Sequence, residues 1–91
     1  METGIELIAK ERQRQIDQEG WTPAHDDEHE FDELALAAAA YALPASHKNS
    51  EPYLWPWDYK YYKSPNDRVR ELVKAGALIA AEIDRLNRIK K

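Results

Sequence analysis

The residues best suited to chemistry gather between Pro44 and Ser64, where the chain reads ASHKNSEPYLWPWDYKYYK. Trp21, Tyr53, Trp55, Trp57, Tyr59, Tyr61 and Tyr62 stand alongside Lys60, Lys63, Arg68 and Arg70. Aromatic faces stack on bases while lysine and arginine meet phosphates, so this set suits a nucleotide or a single-stranded nucleic acid. The alternative is that the rings finish a small core or fill a protein–protein interface, where Trp and Tyr are enriched. A second group is His25-Asp26-Asp27-Glu28-His29, followed by Glu30, Asp32 and Glu33. On one continuous helix His25, His29 and Glu33 would share a face, a spacing that can hold a divalent metal. The structural alternative is a run of acids favoured at a helix N-terminus. Arg12 falls inside an apolar stripe, so its guanidinium needs a partner; Asp26 and Asp27 are the nearest candidates. The binding residues expected from these patterns are Arg12, Trp21, His25, Asp26, Trp55, Trp57, Lys63 and Arg68.

A third group is made of acids: Asp27, Glu30, Glu33, Asp67, Glu71 and Glu82. Small all-α nucleoside triphosphate pyrophosphohydrolases of the MazG type hold Mg²⁺ with E-E-x-x-E on one helix and E-x-x-D on the next. Glu30-x-x-Glu33 resembles half of the first element. Glu71-Leu72-Val73-Lys74 stands where the second is expected, with a lysine in place of the aspartate. A lysine cannot ligate Mg²⁺. The alternative enzyme reading therefore rests on Glu30, Glu33 and Glu71 with Mg²⁺ as cofactor; without it no cofactor is expected.

Three helices must position these groups. The first is predicted over Glu2–Gln18, with Ile5, Ile8, Ala9, Arg12 and Ile16 facing the core and Gly20 ending it in the left-handed conformation. Thr22-Pro23 caps a short turn, and a long helix then runs to about Leu43, where Pro44 stops it. Its core stripe is Phe31, Leu34, Ala35, Ala38, Tyr41 and Ala42, widened by Leu36, Ala40 and Leu43. Ser64-Pro65-Asn66-Asp67 opens the last helix with Ser64 as N-cap. Its predicted inner stripe is Val69, Leu72, Val73, Gly76, Ile79, Ala80, Ile83 and Leu86, broadened by Ala75, Leu78 and Ile89. Gly76 costs about 1 kcal/mol in a helix interior, which a close crossing with the Ala37–Ala40 face would explain. Asp84 and Arg88 are expected to form an exposed i,i+4 pair. Between the second and third helices, Pro52 and Pro56 turn the alternating aromatics into an extended loop, with a short helical turn near Asp58–Tyr62. The expected fold is one all-α domain over residues 1–91. Its three main helices bundle around the last of them, and the aromatic loop packs across one end.

Composition sets the bounds. A chain of 91 residues allows one domain with a small core. It has no cysteine, hence no disulfide and no Cys-based zinc site, which fits a reducing cytoplasm. No apolar run approaches the ~20 residues of a membrane span. The net charge of −4 conceals a split. Residues 1–33 hold eleven acids and three bases; residues 34–91 hold six acids and ten bases. The acidic part disfavours duplex DNA, and the two parts can attract each other within one chain or between subunits. The small core and the aromatic loop together lead us to expect a homo-oligomer.

Several stretches are similar to a family of small phage and prophage proteins. They are Glu11-Arg12-Gln13-Arg14-Gln15, Glu19-Gly20-Trp21-Thr22, His25-Asp26-Asp27, Glu33-Leu34-Ala35 through Tyr41-Ala42, Trp55-Pro56-Trp57 and Lys74-Ala75-Gly76-Ala77-Leu78-Ile79. The resemblance covers nearly the whole chain and implies a protein of viral origin acting in the host cytoplasm. Glu6-Leu7-Ile8-Ala9, Gly20-Trp21-Thr22, Asp26-Asp27-Glu28-His29 and Asp32-Glu33-Leu34 also resemble the opening of ryanodine-receptor repeat domains. That resemblance implies an all-α module and the binding of a nucleotide signal, with a counter-defence role. A third possibility is an interaction module that blocks a host protein with the acidic third and the aromatic loop.

Overall fold

Thr3 opens the first helix with a reciprocal pair of bonds: its hydroxyl accepts the Glu6 N–H, and the Glu6 carboxylate accepts the Thr3 N–H. In this computed structural model, which describes residues 1–44, 46, 53–63 and 66–89, the helix α1 spans Gly4–Glu19. Gly20 closes it at φ 73, a left-handed conformation that glycine adopts without a steric penalty. The Thr22 hydroxyl then accepts the His25 N–H and starts α2, Pro23–Asp27, with proline at its first position.

The long second helix expected from the sequence is broken. The chain turns a corner after Asp27, and α3 begins at Glu33 and ends at Ala42. Asp32 takes φ 65 there, and the Glu33 carboxylate accepts the Phe31 N–H at 2.6 Å. Aspartate tolerates the left-handed region better than most side chains, which lets the backbone leave the helical path at this point. Phe31 lies on the corner, 80% exposed, rather than in the core stripe predicted for it. The loop holds the short turn expected near Asp58, a 3-10 turn over Tyr59–Tyr61 whose Lys60 N–H bonds the Asp58 carboxylate. The last helix, α4, spans Arg68–Ile89. Its described cap is Asp67, whose carboxylate accepts the Val69 and Arg70 N–H groups. The Ser64 cap, Pro65 and Pro52 lie outside the described residues, as does most of the polar start of the loop. Among the described residues there is no strand, and no helix is long and apolar enough to cross a membrane.

Helix α4 is central, packed on α3 and α1 and more lightly on α2. The α3–α4 seam is made of small side chains: Ala37, Ala38 and Ala40 against Ala75 and Ala81, with Leu34, Leu78, Tyr41 and Trp55 completing it. Val73, Ala75 and Leu78 of the predicted inner stripe of α4 are buried, but most of its bulkier members are not. Val69, Leu72, Ile79, Ile83 and Leu86 point outward, 44–59% exposed, while Ala75, Ala77, Leu78 and Ala81 are buried. Two alanine-rich faces can approach until their backbones nearly touch, so α3 meets the alanine side of α4 rather than its bulky aliphatic side. Gly76 accordingly meets α1 and not α3; a Cβ there would lie 2.5 Å from Ile8 Cδ1. Ile5 is 83% exposed, and α1 buries Glu11 and Gln15 instead of its isoleucines. Arg88 bonds Asp27 and the Pro23 carbonyl rather than Asp84. With Arg70 bonded to Glu11, the acidic third and the basic remainder meet within one chain.

Candidate functional site

A cavity of about 420 Å³ opens between the C-terminal half of α1, the corner after α2, Tyr41 of α3 and the aromatic loop. That volume lies in the range of small-ligand sites. Its floor is polar. Glu11, Gln15 and Glu19 follow one another at i, i+4 and i+8 on α1, with Arg14 beside them, and all four line the cavity. Glu11 is 2% exposed. Its carboxylate accepts from Arg14 Nε and Nη2 at 2.9 Å each, from Arg70, and from Gln15 Nε2 at 3.2 Å. Burial pushes the Glu11 carboxyl up, but the bonds and charges of Arg14 and Arg70 outweigh this and hold it below its ordinary 4.5.

This network fixes Gln15. An ionised carboxylate accepts and never donates, so Gln15 must turn its NH₂ toward Glu11 and its carbonyl away. Gln15 Oε1 is buried and accepts no hydrogen bond from the protein. A buried acceptor without a donor costs roughly 1–3 kcal/mol. Gln15 thus lines the cavity while its Oε1 is itself out of contact with solvent.

The walls are rings. Trp21 stacks on His25 at 6.1 Å, His25 meets His29 edge-on at 4.9 Å, and His29 meets Trp57 at 5.1 Å. Trp57 then meets Trp55 at 5.1 Å, and Trp55 meets Tyr41 at 5.5 Å. The backbone explains this continuity. Gly20 turns the chain so that Trp21 leaves the end of α1, and His25 follows one turn later on α2. The corner after Asp27 brings back His29, whose Nδ1 lies 3.4 Å from Glu33 Oε2. Trp55 donates from Nε1 to the Asp58 carbonyl at 3.1 Å, pinning the loop turn.

The cations come from α4 and from the end of the loop. Lys74 of α4 donates to the Lys63 carbonyl at 3.3 Å and sits 5.5 Å over the Tyr41 ring. Burial pulls the Lys74 pKa below the ordinary lysine range. Lys63 lines the same cavity from its exposed edge. Burial also pushes the Tyr41 hydroxyl up to about 12, so it stays protonated while it accepts the Lys63 N–H at 3.4 Å.

Of the eight residues expected to bind a ligand, Trp21, His25, Trp55, Trp57 and Lys63 line this cavity together. Arg12 and Asp26 do not. They pair with each other at 2.5 Å, and Arg12 also bonds the Trp21 carbonyl at 3.1 Å. They act as a clamp that fixes α2 to α1; Asp26 Oδ1 lies 3.2 Å from His25 Nδ1, so the clamp also sets the ring wall. Arg68 lies elsewhere, donating to the Ala42 and Leu43 carbonyls at the end of α3. The acids of the enzyme alternative are not assembled. Glu30 borders a separate hollow with Asp32 and Arg85, Glu33 is held by Phe31 and His29, and Glu71 pairs with Arg68 at 3.5 Å. Among the described residues, no three His, Asp or Glu side chains are grouped so as to hold a metal. The sequence did not single out Glu11, Gln15, Glu19, Arg14, Tyr41 or Lys74 as cavity residues. Their i, i+4, i+8 polar stripe was visible, but such a stripe ordinarily faces water. Comparison with protein-family models, with curated proteins and with solved structures finds no match to this chain.

Proposed function

We propose that this protein binds a small nucleotide in the aromatic cavity and holds it without reacting on it. The supporting observation is a cavity of about 420 Å³ walled by Trp21, His25, His29, Trp55 and Trp57, with Lys63 and Lys74 on its lining. A nucleobase supplies a planar face for the rings, and its phosphate suits the Lys63 and Lys74 side of the cavity. Binding is favoured over Mg²⁺-dependent hydrolysis because Glu30, Glu33 and Glu71 are dispersed. Sequestering a defence signal in a host cytoplasm is the role suggested by the resemblance to phage proteins and to ryanodine-receptor repeats.

All three tryptophans of the chain line the cavity, so its intrinsic fluorescence reports on this site. Titration with a panel of mononucleotides, cyclic nucleotides and dinucleotides is expected to quench that emission for at least one member. The same member should raise the unfolding temperature by mass action. No quenching and no thermal shift across the panel overturns the reading. Release of pyrophosphate from a triphosphate with Mg²⁺, lost in Glu33→Ala, would restore the enzyme reading instead.

A further inference from the structure

The outer face of α4 carries a pattern that the single chain does not use. Val69, Leu72, Gly76, Ile79, Ile83 and Leu86 follow one another in steps of three and four, the seven-residue repeat of a helix seam. Five of the six are aliphatic and 44–59% exposed. The sixth, Gly76, is covered by Ile8 of α1, which adds its own side chain at that point of the seam. Ile5 lies one turn from Ile8 on α1 and is 83% exposed. No charged residue interrupts the seam positions between Val69 and Leu86.

We propose that this face packs against the same face of a second copy, with the two α4 helices antiparallel about a two-fold axis between Ala77 and Leu78. Three observations select a second copy. First, the seam is symmetric about that point: Val69 and Leu86, Leu72 and Ile83, and Gly76 and Ile79 stand equally far on either side. An antiparallel mate therefore meets each seam residue with another seam residue, which is the self-complementarity a two-fold interface requires. Second, the seam positions themselves carry no charge, so a second helix seated on them buries none there. Third, the area is right. At roughly 100 Å² of exposed surface for each half-exposed aliphatic, the seam with Ile5 presents on the order of 600 Å² per copy before any polar rim. A standard interface uses ~800 Å² per partner. None of the seam residues lines the aromatic cavity, to which α4 contributes Lys74.

The chain has no cysteine, so engineered thiols read the register cleanly. Sedimentation equilibrium at micromolar to near-millimolar concentration is expected to give twice the 10.6 kDa chain mass. The double variant Ile79→Asp, Ile83→Asp should sediment as a monomer with unchanged helical circular dichroism, since both side chains already face water in the single chain. An equimolar mixture of Leu72→Cys and Ile83→Cys chains should cross-link on mild oxidation, while neither variant alone does. Identical positions in the antiparallel pair are offset by about 16 Å at 1.5 Å rise per residue, too far for a disulfide. A monomeric wild-type chain overturns the proposal. So does a dimer that survives the double aspartate variant, or cross-linking of each cysteine variant with itself, which would mean a parallel pair.

Discussion

The α3–α4 seam and the pocket beside α1 are both buried, and they are built from opposite materials. The seam is mostly alanine and leucine, closed by helices that approach closely, and shares Tyr41 and Trp55 with the pocket. The pocket places Glu11 and Gln15 at 2% exposure each, among rings that leave about 420 Å³ between them. A protein of 91 residues has few large side chains to spare. Here the tryptophans line a cavity and much of the bulky aliphatic surface faces outward on α4, while small residues hold the fold together. Stability and site are thus separable: substitutions in the seam should unfold the protein, and substitutions among the cavity groups that support nothing else should leave it folded.

The largest expected effect is at Leu78, 1% exposed in the alanine seam. Leu78→Ala should cost about 3–4 kcal/mol in denaturant unfolding, because small neighbours cannot move in to fill the space. A cost under 1 kcal/mol would show that the seam is not the stabilising half. Next is Glu11→Gln, which leaves Arg14 and Arg70 without their carboxylate and should cost about 3 kcal/mol. The sign of its pH dependence follows from the lowered folded pKa. The carboxylate's contribution is complete above the ordinary 4.5 and is lost as pH falls through the folded value below it. Acid unfolding followed by circular dichroism should therefore show a shallower acid limb in Glu11→Gln than in the wild type.

Gln15→Leu sharpens the contrast most directly. It removes an unsatisfied acceptor together with the bond that Gln15 Nε2 donates to Glu11, and these oppose each other, so stability should stay within about 1 kcal/mol of the wild type. Nucleotide quenching of tryptophan should weaken at least tenfold. Equal losses of stability and binding would mean that Gln15 belongs to the scaffold rather than the site. Lys74→Met should behave similarly, since burial already disfavours the lysine cation. Folding should be unchanged, with phosphorylated ligands weakened more than the free nucleoside. The smallest effect is expected at Arg88→Ala, whose pair with Asp27 is solvent-exposed and should leave the melting temperature almost unchanged.

Helix existence was legible because it depends on local features: proline at the start of α2, glycine after α1, and an apolar period along α4. Which face turned inward was not. Periodicity marks the aliphatic stripe of α4 as the natural inner face, but the alanine stripe is the one that fits α3. The break at Asp32 depended on one backbone angle, although an aspartate directly before the alanine-rich run is a start signal that could have marked it. Five cavity-lining residues were singled out from type alone, since tryptophan, histidine and lysine near one another suggest a ligand wherever they meet. Arg12 and Asp26 were legible as partners before their clamp was visible, from the need of a guanidinium in an apolar stripe for a carboxylate. Gln15 was not legible, because its meaning lies in an unmade bond.

The sequence by itself determined an all-α domain, the short caps and turns, the internal split of charge and the kinds of side chain available to a site. Those follow from interactions within a few residues and from composition. The tertiary structure alone decided which stripe of each helix is buried, that the acidic third and the basic remainder pair within one chain, and that Glu11, Gln15 and Lys74 share a cavity with the tryptophans. Those outcomes depend on how closely two helices can approach and on which buried groups find partners, neither of which is encoded in any single segment.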